Sequence, residues 1–119
     1  MKIGVTARGT ELTSGVDPRF GRARYFIVFD TETEEVRAVD NTVNLNAMQG
    51  AGVQAAEGVA REEVQALVTG HCGPKAFRVL QAAGIRVFTG AEGTVAEAIE
   101  SFQNGGLDEA AGPDVEGHW

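Results

Sequence analysis

From Val64 to Phe102 the chain alternates twice between a short apolar run and an amphipathic helix, and nothing else in it limits the possible folds so sharply. Val64–Val68 is the first run. Lys75–Ala83 follows with Ala76, Val79, Leu80 and Ala83 on one face, the spacing of a helix with one buried side. Gly84 suits the position that ends it. Ile85–Phe88 is the second run. Thr94–Phe102 is the second helix, with Val95, Ala98, Ile99 and Phe102 as its apolar stripe. Thr94 and Glu97 have the spacing of a capping box. The two runs and their helices make strand–helix–strand units of a sheet covered by helices. The C-terminal half is therefore α/β.

The N-terminal half supplies three more strands. Lys2–Ala7 alternates, with Ile3, Val5 and Ala7 on one face. Tyr25–Phe29 is a continuous aromatic and β-branched run, expected to be buried on both faces. Thr31–Glu34 makes a polar turn and Glu35–Asp40 returns as a more exposed partner, so the two form a hairpin. Arg8–Arg24, with Gly9, Ser14, Gly15, Pro18 and Gly21, is a long irregular loop of the kind that often carries function. Asn41–Gln49 is a polar loop, and the Ala-rich Gly50–Glu63 is helical despite three glycines. The order β-β-β-α-β-α-β-α predicts one α/β domain over residues 1–103, a mixed five-stranded sheet flanked by helices. Residues 104–119 hold four glycines, four acidic residues and no basic one, and predict a flexible acidic tail.

Charge and cysteine content narrow the function. A net charge of −7 argues against general nucleic-acid binding. Residues 1–29 nevertheless hold five basic groups (Lys2, Arg8, Arg19, Arg22, Arg24) against two acidic ones, Glu11 and Asp17. The remainder holds five basic and fifteen acidic groups, so a local anion site is compatible with an acidic protein. Scattered surface arginines are the plainer explanation. No apolar run is long enough to span a bilayer, and Met1–Val5 moves straight into a strand, so no signal peptide is expected. One cysteine allows no internal disulfide, which fits a cytoplasmic location.

That cysteine lies in the segment Thr69-Gly70-His71-Cys72-Gly73-Pro74-Lys75-Ala76-Phe77, where a strand gives way to a helix. Pro at the first helical position lacks only an N–H that would be unbonded there anyway. The helix thus opens with free donors and the positive end of its dipole beside a thiol and an imidazole. Gly70 and Gly73 let backbone approach a ligand, Lys75 adds charge, and His71 and Cys72 are candidate soft-metal ligands, the thiol being expected to ionise readily at a helix start. Two ligands are too few for a closed structural zinc site. The competing explanation is that His71 bonds a carbonyl, Cys72 packs, and the glycines only turn the chain.

Three further segments are candidates. In Asp17-Pro18-Arg19-Phe20-Gly21-Arg22-Ala23, Arg19 and Arg22 can clamp an oxyanion or sulfide-rich anion while Phe20 packs the loop down. Met48 is a possible thioether ligand and more simply an apolar contact. His118-Trp119 either folds back over a site or is disordered. A thiol-dependent enzyme is the main rival in chemistry. Adjacent His and Cys seldom aim at each other well enough for one to activate the other, and no nucleophile-elbow, P-loop or dinucleotide-binding glycine pattern is present. No enzyme activity is expected.

Taken in order, several of these elements resemble the dinitrogenase iron–molybdenum cofactor family, small proteins related to nitrogenase cofactor carriers. The likeness runs through Met1–Thr6, Phe20-Gly21-Arg22-Ala23, Tyr25-Phe26-Ile27-Val28 and Gly50-Ala51-Gly52. It continues in Gly70-His71-Cys72-Gly73-Pro74-Lys75-Ala76-Phe77 and Ala83-Gly84-Ile85, covering residues 1–103. The resemblance implies a ribonuclease-H-like fold and a non-catalytic role in storing, carrying or assembling an anionic metal–sulfur cluster, molybdenum with copper or iron. Protein partners in cluster assembly are expected with such a role, and the chain itself is expected to be a monomer or weak dimer. Where relatives often carry His before the Gly-Ala-Gly element, this chain has Gln49. Its expected site is Arg19, Arg22, Gly70, Gly73 and Lys75 for the anion and His71 and Cys72 for the metal. The alternative on the same fold is a metal-free interaction or regulatory module.

Overall fold

The computed structural model, described here for residues 1–42 and 50–111, is a three-layer α/β/α domain. Its strands are β1 (Lys2–Ala7), β2 (Tyr25–Asp30), β3 (Val36–Asp40), β4 (Ala66–Val68), β5 (Arg86–Thr89) and β6 (Asp108–Glu109). The helices are α1 (Ala51–Arg61), α2 (Pro74–Ala82) and α3 (Val95–Gln103), and one 3-10 turn covers Phe20–Arg22. The sheet order is β3-β2-β1-β4-β5-β6. β1 pairs in parallel with β4, and β4 pairs in parallel with β5 through the α2 crossover. The β2–β3 hairpin adds antiparallel strands on one side and β6 adds another on the other.

The sheet therefore has six strands where the sequence predicts five. The sixth, Asp108–Glu109, has two residues and no apolar alternation to reveal it. Arg86 fixes it by donating from Nε and Nη2 to the two carboxylate oxygens of Glu109 at 3.1 and 2.6 Å. The same guanidinium lies 5.3 Å from the ring centroid of Phe88.

Side-chain alternation along the strands divides the core in two. Phe26 and Val28 of β2, Leu67 of β4 and Val87 of β5 join Ala55, Ala56 and Val59 of α1 and Ala76, Phe77 and Leu80 of α2. Ile3, Val5 and Ala7 of β1, Ile27 and Phe29, and Ala66 and Val68 join Val95, Ala98 and Ile99 of α3 on the opposite face. The predicted stripe of α3 buries Val95, Ala98 and Ile99 and half-buries Phe102. In α2, Ala76 and Leu80 are buried and Val79 half-buried, but Ala83 is exposed beyond the helix end and Phe77, outside the predicted stripe, is buried instead. α2 and α3 follow β4 and β5, and α1 leads from β3, which runs in the same direction as β1, into β4, so the N-termini of these three helices lie at one end of the sheet. Loop 8–24 and the connection 69–73 lie at that end too.

Among the described residues, only α3 closes its own N-terminus with a side-chain cap. Glu97 N–H donates to Thr94 Oγ1 at 3.2 Å, and Thr94 N–H donates back to Glu97 Oε1 at 3.0 Å. The Thr94 backbone N–H, then its hydroxyl, holds the Glu97 carboxyl below the usual carboxylate range. A carboxyl lowered by folding stabilises the native state above its unfolded value, and that contribution is lost as pH falls through the folded one. Thr94→Ala is expected to cost about 1 kcal/mol. Urea unfolding checks this, and the gap between variant and wild type narrows at acid pH, where the protonated Glu97 has already weakened its half of the box.

Candidate functional site

Loop 8–24 is pinned into the sheet rather than draped over it. Val16 pairs with Ala7, and Asp17 N–H donates to Thr6 O at 3.0 Å. Farther on, His71 N–H donates to Pro18 O at 2.7 Å and Phe20 N–H donates to His71 O at 3.2 Å, so Arg19 and His71 form a parallel bridge. The Asp17 carboxylate turns the chain by accepting from Arg19 N–H at 3.0 Å. At the loop's end Asn41, 1% exposed, donates from Nδ2 to Ala23 O at 2.7 Å.

This ladder fixes where His71 and Cys72 point. In an extended segment successive side chains leave on opposite sides. His71 is exposed and Cys72, 1% exposed, lies in the core cluster with Phe20, Phe77 and Leu80. The Cys72 thiol is 3.7 Å from Gly73 O, a weak donor's contact. The two candidate ligands therefore do not present a common surface.

The two glycines differ as well. A Cβ on Gly70 would stand 2.6 Å from Pro18 O and 2.7 Å from Pro18 Cα, so this glycine exists for the close crossing of two chain segments. Among the described residues, a Cβ on Gly73 would meet nothing within 4 Å. Gly73 caps α2 with no side-chain bond, and Pro74 follows it into the first turn. Gly50 caps α1 in the left-handed region, φ 76°, also without a side-chain bond. α1 and α2 lie side by side. The 3-10 turn crosses the start of α1 so closely that a Cβ on Gly21 would lie 3.0 Å from Gly52 Cα, while one on Gly52 would touch Ala76 Cβ at 3.5 Å. These small residues bring Arg22, the α1 start and the α2 start together.

Among the described residues neither of these two adjacent helix starts has a side-chain cap, and together they concentrate first-turn N–H groups and positive dipole ends. Arg19 and Lys75 are exposed beside them and Arg22 is half-buried. Among the described residues none of the three makes an ion pair; the pairs found are Met1 with Glu32, Arg37 with Glu62, and Arg86 with Glu109. No group of three or more His, Cys, Asp or Glu side chains is placed to hold a metal ion among the described residues. The face suits an anion bound by charge and hydrogen bonds, not a bare cation bound by side-chain ligands. No helix among the described residues is long and apolar enough to cross a membrane. Met48, Gln49 and His118-Trp119 lie outside the described residues.

Sequence reasoning missed three buried polar residues at this end: Thr6, Thr69 and the role of Asp17. The available signal was a threonine at or next to the C-terminal end of each of two neighbouring strands, and an aspartate two residues before Arg19 with the spacing of an Asx turn.

A mixed six-stranded sheet with two helix starts and three cations gathered at one end defines a small three-layer α/β domain. The model of the dinitrogenase iron–molybdenum cofactor family matches residues 1–105, and the chain belongs to that family. The apo form of the orange protein from Desulfovibrio gigas is 45% identical, with a TM-score of 0.93 and 96% of each chain covered. A Thermotoga protein, TM1290, assigned to the DUF35 family, is 37% identical with a TM-score of 0.80 and 91% of each chain covered. MJ0580 of Methanocaldococcus jannaschii is 31% identical over 111 residues, covering 91% of this chain and 90% of its own.

Proposed function

We propose that this domain, ribonuclease-H-like in the order of its first five strands, is a non-catalytic carrier for a preassembled anionic metal–sulfur cluster. The cluster contains molybdenum, with copper or iron, and the protein stores or hands it on in the cytoplasm. Membership of the cofactor family and the likeness to the orange protein support the cargo class. The single observation that carries the reading is the pair of uncapped helix starts, α1 and α2, beside three cations with no acidic partner among the described residues. A cluster whose metals are already satisfied by sulfide needs charge neutralisation and N–H donors more than new ligands. Gly73 leaves room for its approach. His71 stands at the rim as the accessible soft donor, and Cys72 joins only if the first turn of α2 shifts.

Reconstitution with tetrathiomolybdate and copper, followed by visible spectroscopy and metal analysis, tests this. Each of Arg19→Ala, Arg22→Ala and Lys75→Ala is expected to weaken uptake by about tenfold, as for a lost charge-assisted hydrogen bond. Added salt lowers uptake further. His71→Ala weakens uptake more than Cys72→Ala does. Unchanged uptake in the His71→Ala, Cys72→Ala double variant overturns the metal assignment. A wild type that takes up no metal overturns the carrier reading and leaves a metal-free interaction module.

A further inference from the structure

The end of the sheet that bears the cations hides a chain of hydroxyls. Thr6 ends the inward side of β1 and Thr69 follows β4, and the parallel register that matches Val5 with Val68 brings them abreast. Both are 0% exposed. Thr6 Oγ1 lies 2.7 Å from Asp17 O and 2.9 Å from Thr69 Oγ1. Chemistry fixes the direction of both bonds. A carbonyl oxygen can only accept, so the one Thr6 hydroxyl proton goes to Asp17 O, and Thr69 must donate to Thr6.

The pair therefore ties together three segments that carry the cargo face. Asp17 opens the turn that sets Arg19, through its carboxylate and the Arg19 N–H. Thr69 leads into His71, whose N–H and C=O clasp Pro18 and Phe20. Thr6 belongs to β1, rigidly paired on both sides. Without the hydroxyls, loop 8–24 and connection 69–73 still touch, but their common anchor to β1 is reduced to the Asp17 N–H bond and the Ala7–Val16 bridge.

We propose that Thr6, with Thr69 as its donor, is a positioning residue for the cargo site: its buried hydroxyl locks the arginine loop to the His71 connection so that both face the cargo as one preformed surface. The inference rests on the carrier reading. A preformed surface loses little ordering entropy on binding, so its loss shows as weaker retention. The two hydroxyls are not equivalent. Thr6→Val leaves a buried carbonyl, Asp17 O, without the hydroxyl that served it, whereas Thr69→Val removes a donor from an oxygen that keeps its acceptor. The Thr6 variant is thus the more damaging, although valine preserves the shape in both.

Amide hydrogen exchange on the cargo-free protein, and release of a preloaded molybdenum–copper sulfide cluster, test it together. In Thr6→Val the amides of Asp17, Phe20 and His71 are expected to exchange about tenfold faster, the equivalent of one lost buried hydrogen bond. Those of β2 and α3 stay at wild-type rates, cluster release accelerates by a similar factor, Thr69→Val shows a smaller effect, and Thr6→Ser restores both readouts. If Thr6→Val fails to fold, Thr69→Val against Thr69→Ser carries the same comparison. Uniform acceleration across the domain, unchanged loop exchange, or local loosening with no effect on release overturns the proposal. A wild type that takes up no cluster overturns the carrier reading and with it the positioning role, while loop exchange still reports whether the hydroxyl lock exists.

Discussion

Phe20→Ala lowers the unfolding free energy by about 3–5 kcal/mol, the range for removing a large ring from a closed core. The ring is 2% exposed and stacks on Phe26 with centroids 5.7 Å apart and planes 25° from parallel. It is also the only side chain of the 3-10 turn that is buried, so it fastens the loop carrying Arg19 and Arg22 to the α1–α2 layer. Denaturant unfolding measures the cost, and cluster uptake at a temperature where the variant remains folded measures the consequence for the site. Uptake falls with stability because the two arginines lose their support even though neither is altered. Phe20→Leu recovers most of both, since an aliphatic side chain refills much of the volume. A cost below about 1 kcal/mol would show that backbone pairing alone holds the loop.

That behaviour explains which parts of the domain were legible in the sequence. Periodicity reports burial along one element, and five strands and three helices follow from it, with the capping box at Thr94 and Glu97 found where the spacing put it. β6 escaped because it is held by one arginine–carboxylate fork and backbone bonds to β5, neither of which has a periodic signature. At the site, residue types were legible and directions were not. His71 and Cys72 stand side by side in sequence, but the bridge to Arg19 sends one outward and the other into the core. That bridge is a contact between positions 52 residues apart, invisible to any local pattern. The same long-range crossing decides what each glycine is for.

Gly70→Ala and Gly73→Ala separate the two uses of glycine at this site. At Gly70 the new methyl would stand 2.6 Å from Pro18 O, 2.7 Å from Pro18 Cα and 2.9 Å from Pro18 Cβ. Two of these atoms are backbone and the third belongs to a ring, so none can rotate away. Relief requires the segments to part, which breaks the 2.7 Å bond from His71 N–H to Pro18 O and loosens the one from Phe20 N–H to His71 O. Overpacking of this kind costs about 3 kcal/mol. Adding Pro18→Ala gives little rescue, because the nearest atoms remain. At Gly73 a methyl meets none of the described residues within 4 Å, and φ of −77° suits any residue. Stability there changes by no more than about 1 kcal/mol, the loss of a glycine cap set against a less flexible unfolded chain. The methyl instead projects into the space above the α2 start that a bound cluster would occupy, so uptake falls while thermal unfolding hardly moves. Thermal melts and metal analysis on the two variants check both halves. Gly70→Ala is a folding defect that carries function down with it; Gly73→Ala is a binding defect in a sound fold. Equal losses of stability in both would mean that the connection 69–73 serves only to join β4 to α2, and that the anion face lies elsewhere.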